Sequence, residues 1–169
     1  KKIIIGTFVA LILIGAACAG TVYYYLFAPQ FHPQRTVYIY IDRDDTADSI
    51  YNKVKQQGHP RSFTGFRWMA QYKKYSENIH TGRYAIRPEE NVYHVFSRLY
   101  RGYQEPMNLT VGSVRTLDRL ARSVGKQLMI DSAEIAGLMN DSAFQQKLGY
   151  NKETLPCLFI PETYQVYWD

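Results

Sequence analysis

From Ile3 to about Phe27 the chain carries no charged side chain, and no other feature restricts its folding as much. A helix over that run would be about 37 Å long, enough to cross a hydrocarbon layer of about 30 Å with some tilt. Lys1 and Lys2 precede the run, and Tyr23, Tyr24 and Tyr25 close it. Lysines at the start and tyrosines at the exit suit the two faces of a bilayer. The run is too long for the apolar core of a cleaved signal peptide, which spans about 7–15 residues. Ala16-Ala17-Cys18 matches a lipoprotein cleavage box only in part, because Gly15 stands where leucine is expected. The expectation is a retained single-pass anchor over residues 1–27 in an inner membrane, with the bulk of the chain periplasmic.

The 169 residues suffice for one domain or two small ones. The formal charge of +5 suits anionic lipid head groups or anionic polymers outside the membrane, although a solvated basic surface needs no partner. Fifteen tyrosines offer flat faces on which sugar rings stack, though most such rings belong in a core. Cys18 falls in the membrane run and Cys157 far outside it, so a disulfide between them is not expected. Neither cysteine has metal-ligand spacing with the histidines, and no phosphate loop or dinucleotide fingerprint occurs. No metal, cofactor or nucleic acid is expected.

Residues 28–36 hold two prolines and one histidine and read as a linker. Val37, Ile39 and Ile41 alternate as one face of a strand. Asp44-Asp45-Thr46 offers a helix cap ahead of Ala47, Ile50, Tyr51 and Val54, and Gly58 with Pro60 ends that helix. Ser62 is the expected cap of a second helix carrying Phe63, Phe66, Met69 and Ala70. Gly82 opens a strand through Arg87. This order of strand, helix, helix and strand resembles a LysM-type sugar-binding module. Asn91 caps a helix with Val92, Val95, Phe96 and Leu99 on one face, closed by Gly102. A modest boundary near Arg101–Glu105 separates residues 37–102 from residues 103–169. Beyond it, Met107, Leu109 and Val111 alternate as a strand. Thr116 caps a helix with Leu117, Leu120, Ala121 and Val124, and Asp131 with Glu134 reads as a capping box. Asp141-Ser142 starts a last short helix that runs to Gly149. The fold class is α+β.

The final stretch, Leu155–Asp169, is apolar and aromatic around one carboxylate, Glu162, set between Pro161 and Thr163. An acid in a dry strand has a raised pKa, while an ordinary core strand with a solvent-facing glutamate has the same composition. The run Phe159-Ile-Pro-Glu-Thr-Tyr164 resembles the signature of the endolytic murein transglycosylases, the YceG-like family, and Phe159, Pro161, Thr163 and Tyr164 fit it. Gly82-Arg83-Tyr84 resembles the Gly-x-Tyr that follows the family's sugar-binding module, and Leu99-Tyr-Arg-Gly102 its Leu-x-x-Gly. Gly112-Ser113-Val114 replaces its Pro-Glu-Gly turn. The family's catalytic glutamate lies five residues before the proline, where this chain has Pro156. The nearest acids are Glu162, at the family's aspartate position, and Glu153, beside Lys152 in a polar run.

The resemblance implies an N-terminal portion of a longer protein that cleaves the β-1,4 bond between N-acetylmuramic acid and N-acetylglucosamine within nascent glycan strands, leaving 1,6-anhydro ends. One carboxyl group can serve first as acid and then as base, where hydrolytic glycosidases use two. The expected acid is Glu162, with Glu153 as the runner-up. Thr163, Tyr164 and Tyr84 are the expected substrate-binding residues. Glycan strands, the membrane and peptidoglycan synthases are the expected partners. Pro156 supports a second expectation, a membrane-anchored peptidoglycan-binding scaffold without catalysis.

Overall fold

The computed structural model describes residues 2–113 and 116–169. Its compact units are residues 1–104 and 105–169, and its architecture is α+β. Val114, the last residue of the expected turn, lies outside the described residues.

In the first unit, helix α1 runs over Lys2–Val22 and continues as a π-helical turn, Tyr23–Phe27. The stretch Phe8–Phe27 is long and apolar enough to cross a membrane, and none of its residues is fully buried in the protein. Strand β1 (Val37–Ile41) pairs antiparallel with β2 (Gly82–Ile86), with Ile39 opposite Tyr84 and Ile41 opposite Gly82. Between them lie α2 (Ala47–Gly58) and α3 (Thr64–Tyr72), and α4 (Val92–Tyr100) follows.

Each helix starts for a local reason. Thr46 and Ser49 close a reciprocal capping box on α2, and His59, in the left-handed region at φ 44°, ends it. The Asn91 side chain accepts from the His94 N–H at the start of α4. The second helix corrects its expected cap: Phe63 occupies the cap position and α3 begins at Thr64, while the Ser62 hydroxyl oxygen accepts a long 3.4 Å bond from the Thr64 N–H.

The core of this unit joins Ile39, Ile41, Tyr84 and Ile86 from the strands to Ile50, Val54, Phe66, Phe96 and Leu99 from the helices, all enclosed. Phe66 and Phe96 meet edge to face at 5.4 Å, and Tyr75 meets Phe96 at 5.6 Å. The Glu90 carboxylate accepts from both terminal nitrogens of Arg98, at 2.6 and 3.0 Å, and from the Arg87 N–H. Arg98 also donates to the Ala85 carbonyl. Half-burial alone would raise the Glu90 pKa, but these bonds and the charges of Arg98 and Arg87 outweigh it and hold the carboxyl below its usual range.

Residues 28–36 are not a linker. Phe31 is fully buried in the core, and the N–H groups of Gln30 and Phe31 both donate to the Glu90 carbonyl. His32 N–H donates to the Gly58 carbonyl, and Pro29 and Phe31 form isolated bridges with Asn91 and Pro60. Prolines that suggest a spacer also suit an extended segment laid along a surface, and the apolar Phe31 decides between the two.

In the second unit, β3 (Met107–Val111) pairs antiparallel with β4 (Glu162–Val166). Helices α5 (Leu117–Gly125), α6 (Ser132–Asn140) and α7 (Ser142–Lys147) connect them. Leu109, Val111, Leu117, Leu120, Ile135, Met139 and Leu155 form the core. Gln127 stands in for a neighbouring strand on β3: its side-chain oxygen accepts from the Thr110 N–H, and its amide donates to the Thr110 carbonyl. The Thr116 hydroxyl accepts from the Arg119 N–H, as its cap role requires. Asp131 caps α6 through the Ala133 N–H, and the box expected with Glu134 is not closed.

Candidate active site

The expected acids lie in the second unit, on the chain that leads into β4. That chain is not one long strand. Leu155–Leu158 form a 3₁₀ turn and the strand begins only at Glu162. Pro156 and Pro161 explain this, because neither has an N–H to give to a ladder. Leu155 alone of the stretch is fully buried, and it anchors the turn in the core.

Glu162 sits opposite Val111 at the first rung of β4. It is exposed, and its carboxylate oxygen accepts from the Thr163 N–H at 3.1 Å. This corrects the expected dry setting. The neighbours expected to enclose it are open as well: Ile160 is 65% and Tyr164 39% exposed. β4 is paired to β3, yet four of its five residues remain exposed. Thr163 faces Thr110 across the ladder, their hydroxyls 3.4 Å apart. The Tyr164 hydroxyl donates to the Ile160 carbonyl at 3.0 Å and ties the strand to the turn before it.

Glu153 stands in a concave setting. Together with Thr116, Leu117, Asp118, Asn140, Lys152 and Pro156 it lines a cleft of about 320 Å³. The local chain is held by Asn151, whose side-chain oxygen accepts from the N–H groups of Glu153 and Thr154 and from the Thr154 hydroxyl. The cleft therefore gathers two carboxylates and one ammonium, a set able to hold a polar ligand and to exchange a proton with it. Asp118 and Asn140 were not singled out from the sequence. Asp118 follows the helix cap Thr116 and reads there as an ordinary first-turn acid, and only the fold sets it beside Glu153.

Tyr84, expected among the substrate-binding residues, lies in the core of the first unit. Its side chain is fully enclosed, and its hydroxyl donates to the carbonyls of Thr81, at 2.9 Å, and His80, at 3.2 Å. A tyrosine centred on β2, facing Ile39, belongs to the core face by the alternation of the strand. A different open surface adjoins β1, where His32, Arg35, Val37, Gln57 and His59 line a cleft of about 530 Å³. No cluster of metal-ligating side chains occurs among the described residues, and Cys18 and Cys157 are both free.

No curated protein matches the chain. Among solved structures, a yceG-like protein of Listeria monocytogenes aligns with a TM-score of 0.37 at 17% identity, over 79% of this chain and 49% of its own. The chain thus spans about half the length of that relative. The YceG-like family matches residues 39–169, from the middle of β1 to the last residue after β4. With more than half its length inside that match, including the Phe159–Tyr164 signature, the chain belongs to the YceG-like family.

Proposed function

We propose that this chain is the anchored N-terminal portion of an endolytic peptidoglycan lytic transglycosylase. The observation that carries the reading is the family match over residues 39–169, a range that includes Phe159, Pro161, Thr163 and Tyr164. In this reading α1 crosses the inner membrane, the remainder is periplasmic, and peptidoglycan synthases are the neighbours that supply nascent strands. The β1–α2–α3–β2 order is that of a LysM-type module, and the cleft beside β1 is its glycan-holding face.

The acid is Glu162. Its protonated carboxyl donates to the glycosidic oxygen as the bond to C1 breaks, and the N-acetylglucosamine side leaves as an alcohol. The C6 hydroxyl of the muramic acid residue then bonds to C1, and the carboxylate takes up its proton. One acid is thereby regenerated and no water is consumed. Glu162 is open to solvent in the free chain, so the glycan itself must exclude water from it. Ile160 and Tyr164 present exposed apolar surface beside it for that purpose, and the Thr163 N–H orients the carboxylate.

A second reading, a peptidoglycan-binding scaffold without catalysis, is favoured by two observations. Pro156 occupies the place of the family's acid, and Glu162 lacks a dry setting in the chain alone.

Digestion of purified sacculi by the full-length protein separates the readings. Anhydro-ended fragments are expected from the wild type, with a loss of about 10²–10⁴ in rate for Glu162→Gln and none for Glu153→Gln. Loss in Glu153→Gln alone moves the acid to the cleft, and full activity in both variants places it elsewhere. A wild type that releases no anhydro ends leaves the scaffold reading.

A further inference from the structure

The end of the membrane run is packed against the folded unit that follows. The Tyr25 ring meets Trp68 on α3 at 5.3 Å, and Phe27 meets Tyr93 on α4 at 5.5 Å. The Gln30 amide donates to the Tyr24 carbonyl, and the Gln30 carbonyl accepts from the Arg61 N–H. Gly65 permits the approach: a Cβ there would stand 2.1 Å from the Tyr25 carbonyl oxygen. No slack separates span from unit, since Pro29 already bridges to Asn91.

This packing sets a depth. The apolar stretch Phe8–Phe27 covers about 30 Å as a helix, the thickness of a hydrocarbon layer. Tyr25 and Phe27 then lie at its outer boundary, and whatever touches them lies there too. Trp68 is 46% and Tyr93 37% exposed, and tryptophan and tyrosine are the side chains that the interface selects. The charge agrees. Residues 49–76 contain no acid, and Arg61 and Arg67 on this stretch are exposed. The two acids that precede α4 in the chain are matched within the unit, Glu89 by His32 at 3.2 Å and Glu90 by Arg98.

Resting on the membrane-crossing part of the function proposed above, we infer that the N-terminal ends of α3 and α4 sit in the head-group layer of the bilayer that α1 crosses. Trp68 and Tyr93 are the interfacial rings, and Arg61 and Arg67 engage anionic lipid. The folded unit is thereby held against the membrane surface in one orientation.

The 169-residue chain in lipid nanodiscs tests this. Trp168→Phe leaves Trp68 as the single tryptophan. With a spin label on the lipid head group, its emission is expected to fall by about half or more, as befits a ring at head-group depth, and to fall further in anionic than in zwitterionic lipid. Arg61→Gln with Arg67→Gln should erase that difference between lipids; if the difference persists, the charge assignment is overturned. Emission untouched by the label in both lipids overturns the inference, as does shielding of Trp68 from an aqueous quencher by soluble glycan fragments but not by lipid. A Leu13→Trp probe, in a chain with Trp68→Phe and Trp168→Phe, checks the span itself with a mid-bilayer label. Quenching there without quenching of Trp68 rejects only the surface contact, whereas no quenching at Leu13→Trp rejects the anchor and the inference together.

Discussion

The two halves of the molecule each contain one antiparallel pair of five-residue strands, and the pairs differ in how deeply they lie. On β2, Gly82, Tyr84, Ala85 and Ile86 are all buried. On β4, Glu162, Thr163, Tyr164 and Gln165 are all exposed. The ladders are alike, so pairing does not set depth. The first pair is covered by α2, α3 and α4 and by the returning segment with Phe31. The second keeps only the α5–α6 side covered, through Leu109 and Val111 of β3. In the function proposed above, the closed half carries structure and the open half carries Glu162, where an accessible edge is what a long polymer would need.

Stability measurements sharpen the contrast. Phe66 is fully buried among Tyr51, Phe63 and Phe96, and Phe66→Ala is expected to cost about 3–5 kcal/mol. Equilibrium denaturation of the chain in detergent measures it. A cost below 1 kcal/mol would erase the distinction between the halves.

Glu90→Gln is next. It leaves Arg98 half-paired in a largely dry position and should cost about 2–3 kcal/mol, the scale of a charge-assisted bond. The pH dependence has a definite sign. The folded carboxyl titrates below the ordinary glutamate value of 4.5, so its stabilisation is fully present above that value. It is lost as pH falls through the lower folded pKa. Wild-type melting temperature should therefore drop in that acid range, and the drop should be smaller in Glu90→Gln.

Smaller effects belong to the open half. Thr116→Ala removes the cap of α5 and should cost about 1 kcal/mol, read by the loss of helical signal on heating. Thr163→Val touches only an exposed hydroxyl pair and should stay within about 0.5 kcal/mol. A cost near that of Phe66→Ala would mean that β4 is not the open strand described above.

Much of this organisation was legible in the chain. Thr46, Asn91, Thr116 and Asp141 cap the helices assigned to them, because a cap needs only a side chain and the N–H groups next to it. Ile39 and Ile41 face the core as their alternation required. The site was less legible. Composition around Glu162 suggested a dry pocket, and the strand is open, because dryness depends on what covers a strand and not on what it contains. The Glu153 cleft was missed for the same reason: Thr116, Asn140 and Glu153 are far apart in the chain and meet only when folded.

The sequence by itself determined the apolar span, the starts of most helices, the strand pattern and the family signature. Each is a matter of residue type at short spacing, and short-range chemistry is written along the chain. Only the tertiary structure decided that residues 28–36 belong to a core, that Tyr84 is enclosed while Glu162 is not, and that Gly65 lets α3 reach the end of the membrane run. Those outcomes depend on which surfaces meet across many residues. Burial and close approach are properties of pairs of elements, and no single stretch carries them.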